Sequence, residues 1–206
     1  MLSGPTAFVV DDDEAVRRAI KLLIESAGMR VETYPSADAF LADYDARWPG
    51  CLILDVRMPG MSGLNLQDRL LRERVSIPVI MITGHGDVAM AVGAVKKGAV
   101  DFLQKPFDDE TLLQRVRQAM ELDARQRETQ ASSAAFQARL ARLTPREQEV
   151  LDLLLVGKGN KEVALKLGLS RKTVDIHRSH VMMKLGIDSL LDVARMGYRP
   201  KDQLAD

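Results

Sequence analysis

In the segment CLILDVRMPG, residues 51–60, four apolar residues lead into the carboxylate of Asp55 and then into a turn. A short apolar run bounded by turn residues is typical of a buried strand in a parallel sheet. The pattern recurs, with stretches of helical period between the runs, at 6–10, 30–33, 78–82 and 100–103. This alternation predicts an α/β fold with five parallel strands and helices on both faces, in the flavodoxin-like order 2-1-3-4-5.

Polar side chains stand just past four of these five runs. They are Asp11 and Asp12 after the first run, Asp55 after the third, Thr83 after the fourth and Lys105 after the fifth. Because the carboxyl ends of parallel strands share one rim of the sheet, we expect these side chains to converge. Three carboxylates in one cleft repel each other unless a cation neutralises them. Oxygen ligands of this kind suit Mg2+, or Mn2+, so a divalent cation site is implied.

The same set suits phosphoryl chemistry. The carboxylate of Asp55 can carry a phosphoryl group as an acyl phosphate, and Thr83 and Lys105 can donate hydrogen bonds to phosphoryl oxygens. Taken singly, each aspartate fits a turn or a helix cap equally well. Their joint occurrence at successive strand ends favours a site. Asp13 is expected to cap the helix that follows it.

The motifs around these positions resemble those of the bacterial response-regulator receiver domain, over residues 1–120. The matching runs are 10–13, 54–60, 82–86 and 101–107. The resemblance implies that Asp55 is the phosphoacceptor. It also implies that Mg2+ is held by Asp11, Asp12, Asp55 and the backbone carbonyl of Arg57.

Further roles follow from this resemblance. Thr83 and Lys105 would bind the phosphoryl group, and Phe102 would be the aromatic residue that rotates inward when the domain switches. In the family, switching reshapes the surface formed by the fourth helix, the fifth strand and the fifth helix. Candidate residues for a dimer interface on that surface are Val88, Val92, Lys96 and Phe107.

The composition agrees with an intracellular protein of two domains. The chain has 206 residues, with 29 Lys and Arg against 29 Asp and Glu, and the basic excess lies in residues 141–206. Its one cysteine, Cys51, lies inside an apolar run and is expected to be a buried small hydrophobe. No run of 18 apolar residues occurs, and no basic stretch precedes an apolar one at the N-terminus. A cytoplasmic location away from membranes is therefore expected.

Residues 121–140 are predicted to form a long helical linker, because they are charged, rich in Gln and Ala, and free of Gly and Pro. The helix that starts near Asp108 should continue into this segment. Its apolar positions thin out after Leu122, which argues against a strong coiled coil. The pair Ser132 and Ser133 is a candidate break or hinge.

Residues 141–206 are predicted to form a four-helix domain that contains a helix-turn-helix. Thr144, Pro145 and Glu147 give the cap, first-turn proline and capping-box signals of a helix start. Further on, Asn160 can cap a helix over Lys161–Leu167, Gly168 can form the turn, and Ser170 can cap a second helix over Arg171–Leu185. A last short helix should start at Asp188 or Ser189. Two helices joined by so short a turn, the second rich in basic residues, are typical of DNA-binding domains.

This part of the chain resembles the LuxR-type DNA-binding domain. The matching residues are Leu143–Leu151, Gly159–Ala164, Leu169–Ser170, Thr173–Val174, His177–Arg178 and Met183–Leu185. Joined to the receiver, it resembles the NarL/FixJ class of response regulators, and within it the FixJ-like branch. The helix 171–185 would then be the recognition helix in the major groove.

The candidate DNA contacts come from this helix and from the start of the one before it. Those expected at the bases are Arg171, Lys172, Thr173, Ile176 and Arg178, while Asn160, Lys161, Ser170 and Lys184 are expected to bind phosphates or cap helices. Val174, Val181 and Leu185 are assigned to the core. Asp175 stands where many relatives have Lys, and its acid would weaken DNA binding unless it accepts from a cytosine amino group or pairs with Lys172. His177 and His180 lack the second pair of ligands that a zinc site needs.

Together the two resemblances imply a transcription regulator and not an enzyme. A histidine kinase would phosphorylate Asp55, and the phosphorylated chain would form a homodimer that binds promoter DNA and activates transcription with RNA polymerase. A phosphatase of the haloacid dehalogenase type is disfavoured, because Arg57 stands where that family needs a second acid. The alternative that stays open is a DNA-binding regulator whose receiver is a phosphorylation-independent dimerisation scaffold.

Overall fold

The computed structural model describes residues 4–84, 93 and 98–200. The chain divides into two compact units, one ending at Arg127 and the other starting at Glu128. Within the described ranges, no helix has the length and apolar character needed to cross a membrane. Three of the predicted interface residues, Val88, Val92 and Lys96, lie outside the described residues.

The first unit is an all-parallel five-stranded sheet in the order β2-β1-β3-β4-β5, which confirms the predicted fold. Its strands are β1 Thr6–Val10, β2 Arg30–Tyr34, β3 Gly50–Asp55, β4 Val79–Thr83 and β5 Asp101–Gln104. The helices described in it are α1 Glu14–Ser26, α2 Ala37–Asp43, α3 Gly63–Arg72 and the first part of α4 Asp109–Leu140.

Both faces of this sheet are buried, because successive side chains of a strand point to opposite faces. On one face Phe8 and Leu54 pack with Phe40 of α2 and Leu66 of α3. On the other face Val9, Ile53 and Ile80 form a second cluster with helices α1 and α4 through Ile20, Ile24, Leu112 and Val116. Cys51 is fully buried, as expected. Burial, and next the charge of Asp123, raise the pKa of its thiol to about 12, so the thiol stays protonated.

The second unit contains four helices in the described part of 141–206, as predicted: α5 Pro145–Leu155, α6 Asn160–Leu167, α7 Arg171–Leu185 and α8 Leu190–Arg195. Thr144, Ser170 and Ser189 cap α5, α7 and α8 through their side-chain oxygens. The cap assigned to Asn160 is wrong. Gly159 is the N-cap of α6, and its N–H donates to the side chain of Glu162, while Asn160 is already the first helical residue.

Helix α4 runs unbroken through Ser132 and Ser133. Its last turns belong to the second unit, since Phe136 and Leu140 are buried there against Leu151, Val181 and Leu185. Arg139 donates a hydrogen bond of 3.0 Å to the backbone carbonyl of Leu185 at the end of α7. The end of this helix is thus part of the core against which α7 packs.

Candidate functional site

The predicted polar set gathers at the carboxyl ends of the strands. Asp11 follows β1, Asp55 ends β3 and Thr83 ends β4, and all three are almost fully buried. Lys105 follows β5, and its backbone N–H donates to the carbonyl of Thr83 over 2.7 Å. Its ammonium donates to Asp11 Oδ2 at 2.6 Å and to Asp55 Oδ1 at 2.7 Å. One cation is therefore shared by two buried carboxylates.

Local backbone contacts fix these two carboxylates. The backbone N–H of Arg57 donates to Asp55 Oδ2 at 2.7 Å. Asp11 Oδ1 accepts from the backbone N–H of Asp13 at 2.9 Å. Gly63, at the start of α3, lies so close that a Cβ atom there would be 2.1 Å from the backbone carbonyl of Asp55. Only glycine fits at this position without moving the strand end that carries Asp55.

The pKa values of Asp55 and Lys105 are both raised, but for different reasons. Burial raises the pKa of Asp55; the hydrogen bond and charge of Lys105 lower it only in part, and the charge of Asp11 raises it further. Burial alone would lower the pKa of Lys105, but the hydrogen bonds and charges of Asp11 and Asp55 raise it. Lys105 is thus firmly charged, while an ionised Asp55 is under-neutralised. A second cation would find a favourable place here.

The predicted metal ligands are only partly assembled. Asp12 is exposed beside the buried Asp11. Within the described ranges, no three His, Cys, Asp or Glu side chains lie together as metal ligands. The donor set of carboxylates and backbone carbonyl nevertheless suits a hard divalent cation. Asp13 caps α1, as predicted, by accepting from the backbone N–H groups of Ala15 and Val16.

The two aromatic candidates differ in their surroundings. Phe102, in β5, is half-buried and packs against the core cluster that contains Phe8 and Met81. Phe107 is half-buried against the cluster on the opposite face. It also lines a cleft of about 350 Å³ beside Lys105, together with Val16, Ala19, Ile20 and Leu23 of α1, Pro106 of the loop after β5 and Asp109 of α4. The role of Phe107 in dimerisation stays a prediction.

In the second unit, a left-handed glycine, Gly168, joins α6 to α7. Val174, Val181 and Leu185 are fully buried, as predicted. The opposite side of α7 exposes Arg171, Lys172, Ile176 and Arg178, and Lys161 is exposed on α6. Thr173 is half-buried, and its hydroxyl lies 2.8 Å from the hydroxyl of Ser170. Contacts of these residues with DNA stay predictions.

Two other candidates have partners inside the protein. The side-chain amide of Asn160 donates to the carboxylate of Asp175. The ammonium of Lys184 donates to Glu147 Oε2 at 2.6 Å. Glu147 is buried and also accepts from the backbone N–H of Thr144, as its capping box requires. Sequence reasoning missed the Lys184 partner, although a capping-box glutamate followed by a basic helix could have suggested it.

Sequence reasoning also missed a buried carboxylate at the opposite edge of the sheet. Asp123 of α4 accepts from the backbone N–H of Gly50 at 2.8 Å and from Arg127 Nε at 2.7 Å. Arg127 then donates to three backbone carbonyls, those of Ala46, Arg47 and Trp48. The spacing of Asp123 and Arg127 matches an ordinary surface pair on a helix, so the sequence gives no signal of this burial.

Comparison with known proteins adds two family matches. Residues 7–117 match the response regulator receiver domain, and residues 141–197 match the bacterial regulatory proteins of the luxR family. Response regulator protein TmoT of Ectopseudomonas mendocina is 46% identical over 197 residues, 96% of this chain and 90% of that protein. Transcriptional regulatory protein FixJ of Azorhizobium caulinodans is 43% identical over 94% of each chain.

Solved structures agree with these matches. The response regulator StyR has a TM-score of 0.84 at 42% identity, covering 94% of this chain and 98% of its own. Full-length FixJ from B. japonicum has a TM-score of 0.58 at 38% identity, covering 93% of this chain and 95% of its own. Both similarities extend over the two units and the helix between them.

Proposed function

Because the chain belongs to the response regulators of the NarL/FixJ class, with a receiver domain and a LuxR-type DNA-binding domain, we propose that phosphorylation of Asp55 controls its assembly on DNA. A histidine kinase donates the phosphoryl group. The phosphorylated chain dimerises through the receiver, and the dimer binds two half-sites in promoter DNA and activates transcription with RNA polymerase.

One observation carries the proposal: the ammonium of Lys105 bridges Asp11 and Asp55 at the carboxyl edge of the sheet. Two buried carboxylates share one positive charge, so the pocket keeps a negative charge that a divalent cation can balance. Asp11, Asp12, Asp55 and the Arg57 carbonyl would hold Mg2+. When bound, this ion neutralises charge on the transferring phosphoryl oxygens.

In the transfer step, a carboxylate oxygen of Asp55 attacks the phosphorus of a phosphohistidine. A P–O bond forms, the P–N bond breaks, and the histidine nitrogen leaves with the electron pair and takes up a proton. The product is an acyl phosphate on Asp55. The backbone N–H of Arg57 holds the second carboxylate oxygen in place during the attack.

The switch follows from contacts that exist only after the transfer. The ammonium of Lys105 gives up its hydrogen bond to Asp55 and donates to a phosphoryl oxygen instead. The hydroxyl of Thr83 donates to a second phosphoryl oxygen. Contacts made in one state alone are what a shift between two conformations requires. Phe102, half-buried beneath this edge, responds to the movement of Thr83 and changes the surface beside β5. Two receivers pair on that surface, and the paired recognition helices fit an inverted repeat.

Sedimentation velocity tests the proposal on the full chain in Mg2+, with and without beryllofluoride as a phosphoryl mimic. We expect the wild type to shift from monomer to dimer on addition of beryllofluoride, and Asp55→Asn to stay monomeric. Asp38→Asn is the matched control, because Asp38 is exposed in the first turn of α2 and is not one of the pocket residues. If neither protein shifts, or if Asp55→Asn shifts as the wild type does, phosphorylation of Asp55 does not drive assembly.

A further inference from the structure

Helix α7 carries one acidic residue, Asp175, among the basic side chains of Arg171, Lys172, Arg178 and Lys184. Asp175 is exposed and lies in the second turn of the helix. The N-terminal part of a recognition helix is the part that reaches base edges. A carboxylate there is repelled by the DNA phosphates, and this repulsion lowers affinity for every DNA sequence alike. A compensating contact with specific bases would make this position useful.

The side chain of Asp175 is held by a neutral partner. The amide nitrogen of Asn160, at the start of α6, donates to Asp175 Oδ1. The described residues show no salt bridge between Asp175 and Lys172, which is the pairing that would cancel its charge. A neutral donor leaves the negative charge on the carboxylate and satisfies only one of its oxygens. The amide therefore orients the acid without neutralising it.

The position of Asp175 on the helix also fits a base contact. Val174 and Val181 are fully buried, so they fix the inner side of α7. At 100° per residue, Asp175 stands on the flank beside α6, next to the outward-facing Lys172 and Ile176. The hydroxyl of Ser179 donates to the backbone carbonyl of Asp175 at 3.0 Å, so Ser179 does not use its donor on the carboxylate.

We propose that Asp175 is a specificity-determining residue that accepts a hydrogen bond from the amino group of cytosine in the major groove, and that Asn160 is the positioning residue that aims its carboxylate. Aspartate is the side chain that pairs with the cytosine N4 amino group, since it offers acceptors only. Guanine presents acceptors at this edge and repels a carboxylate. This inference rests on the proposed function, because it needs α7 in the major groove.

The competing explanation is that the contact between Asn160 and Asp175 only ties α6 to α7. If the contact is only such a tie, its loss should lower stability and weaken binding to all sequences equally. A base contact changes which base is preferred at one position of each half-site. Base preference is therefore the readout that separates the two explanations.

The experiment selects binding sites from random duplex DNA with the full chain, activated by Mg2+ and beryllofluoride, and then measures affinity for the four bases at each selected position. We expect the wild type to prefer cytosine about tenfold at one position of each half-site. In Asp175→Ala this preference should fall below about twofold, while binding to random DNA becomes tighter. Asp175→Asn should prefer adenine at the same position, because asparagine offers both a donor and an acceptor.

Two further variants complete the test. Asn160→Ala should weaken the cytosine preference at that position and leave the other positions unchanged. Asp188→Asn is the charge control, because Asp188 is exposed beyond the end of α7, and its selected sequence should be that of the wild type. Circular dichroism of each variant is the check that it is folded.

Two results overturn the inference. The first is a selected sequence that is the same for Asp175→Ala as for the wild type. The second is a uniform loss of binding by a folded Asp175→Ala, which removes the acceptor of Asn160 and would make that contact a structural tie. A wild type that selects no sequence at all would overturn the proposed function itself, and the inference with it.

Discussion

A buried aspartate lies at each end of strand β3, Asp55 in the strand itself and Asp123 on helix α4, and the two sites are built in opposite ways. At the carboxyl end, Asp55 and Asp11 share the single ammonium of Lys105. At the amino end, Asp123 has two donors to itself, the N–H of Gly50 and the guanidinium of Arg127. Two carboxylates share one cationic side chain at the first end, whereas one carboxylate has a cationic side chain to itself at the second.

The same strand thus serves both function and stability, one at each end. A buried carboxylate with its own cationic partner is a structural element, and removing it leaves buried donors unpaired. Two buried carboxylates that share one cationic partner cost stability and leave room for a cation or a phosphoryl group. The amino end of β3 therefore holds helix α4 on the sheet, while the carboxyl end is available for chemistry.

The largest expected effect comes from breaking the amino end with Asp123→Ala. This change leaves the N–H of Gly50 and the guanidinium of Arg127 without their buried acceptor, so we expect a loss of about 3 kcal/mol in the free energy of unfolding. Urea denaturation of the full chain measures it through the signal of the first unit. Glu121→Ala is the matched control, because Glu121 is exposed on the same helix in a pair with Arg125.

The control should change the free energy of unfolding by less than about 1 kcal/mol, since exposed ion pairs contribute little. Equal and small losses in Asp123→Ala and Glu121→Ala would contradict the structural role of Asp123. The comparison between the two ends of β3 would then fail at its amino end.

A smaller effect should come from a third buried carboxylate, Glu147, when its partner is removed by Lys184→Met. The ammonium lies 2.6 Å from Glu147 Oε2, and Lys184 is partly exposed, so we expect a loss of about 2 kcal/mol from the second unit. Urea denaturation measures this loss. If Lys184 instead contacts DNA phosphates, Lys184→Met should be as stable as the wild type. The slope of the logarithm of the binding constant against the logarithm of the salt concentration should then become shallower by about one unit.

The pH dependence of the same pair sharpens this prediction. Burial raises the pKa of Glu147, but the hydrogen bonds of Lys184 and Thr144 outweigh burial and hold that pKa below its usual range. A lowered pKa in the folded state means that the pair stabilises the protein above the unfolded pKa, and that this stabilisation is lost as pH falls through the folded value. Lys184→Met should therefore lose less stability on acidification than the wild type does.

The sequence was sufficient to predict the carboxyl edge and insufficient for the amino edge. Asp11, Asp55, Thr83 and Lys105 follow apolar runs, and the topology of a parallel sheet then requires their convergence. No such pattern predicts the burial of Asp123, because the helix is polar around it. Its role as an acceptor depends on the turn before Gly50. Such a contact between residues far apart in sequence follows from packing and not from local pattern.

The errors at the start of α6 have the same origin. Asn160 has the side chain of a cap, but the chain already turns into the helix at Gly159, whose N–H is bound by Glu162. The amide of Asn160 is thereby released to bind Asp175 across the turn. Helix propensity predicted the correct helix but placed its start one residue late. The partner of Asn160 could not be predicted, because it depends on how α6 and α7 pack.

The smallest expected effect tests the carboxyl end, where Asp55→Asn should raise the thermal unfolding midpoint of the first unit by a few degrees at pH 7. Burial and the charge of Asp11 hold the pKa of Asp55 above its ordinary value, so the ionised form costs stability at neutral pH. That cost disappears as pH falls through the raised pKa, so the gain from the substitution should shrink on acidification. Calorimetry at pH 7 and at pH 4 measures both effects.

Asp38→Asn, which changes an exposed carboxylate, should show neither effect. Mg2+ should raise the midpoint of the wild type more than that of Asp55→Asn, since the ion supplies the charge that the pocket lacks. A lower midpoint for Asp55→Asn at pH 7 would mean that the bond from Lys105 already compensates for burial. Asp55 would then be satisfied as Asp123 is, and the excess of carboxylate that distinguishes the two ends of β3 would not exist.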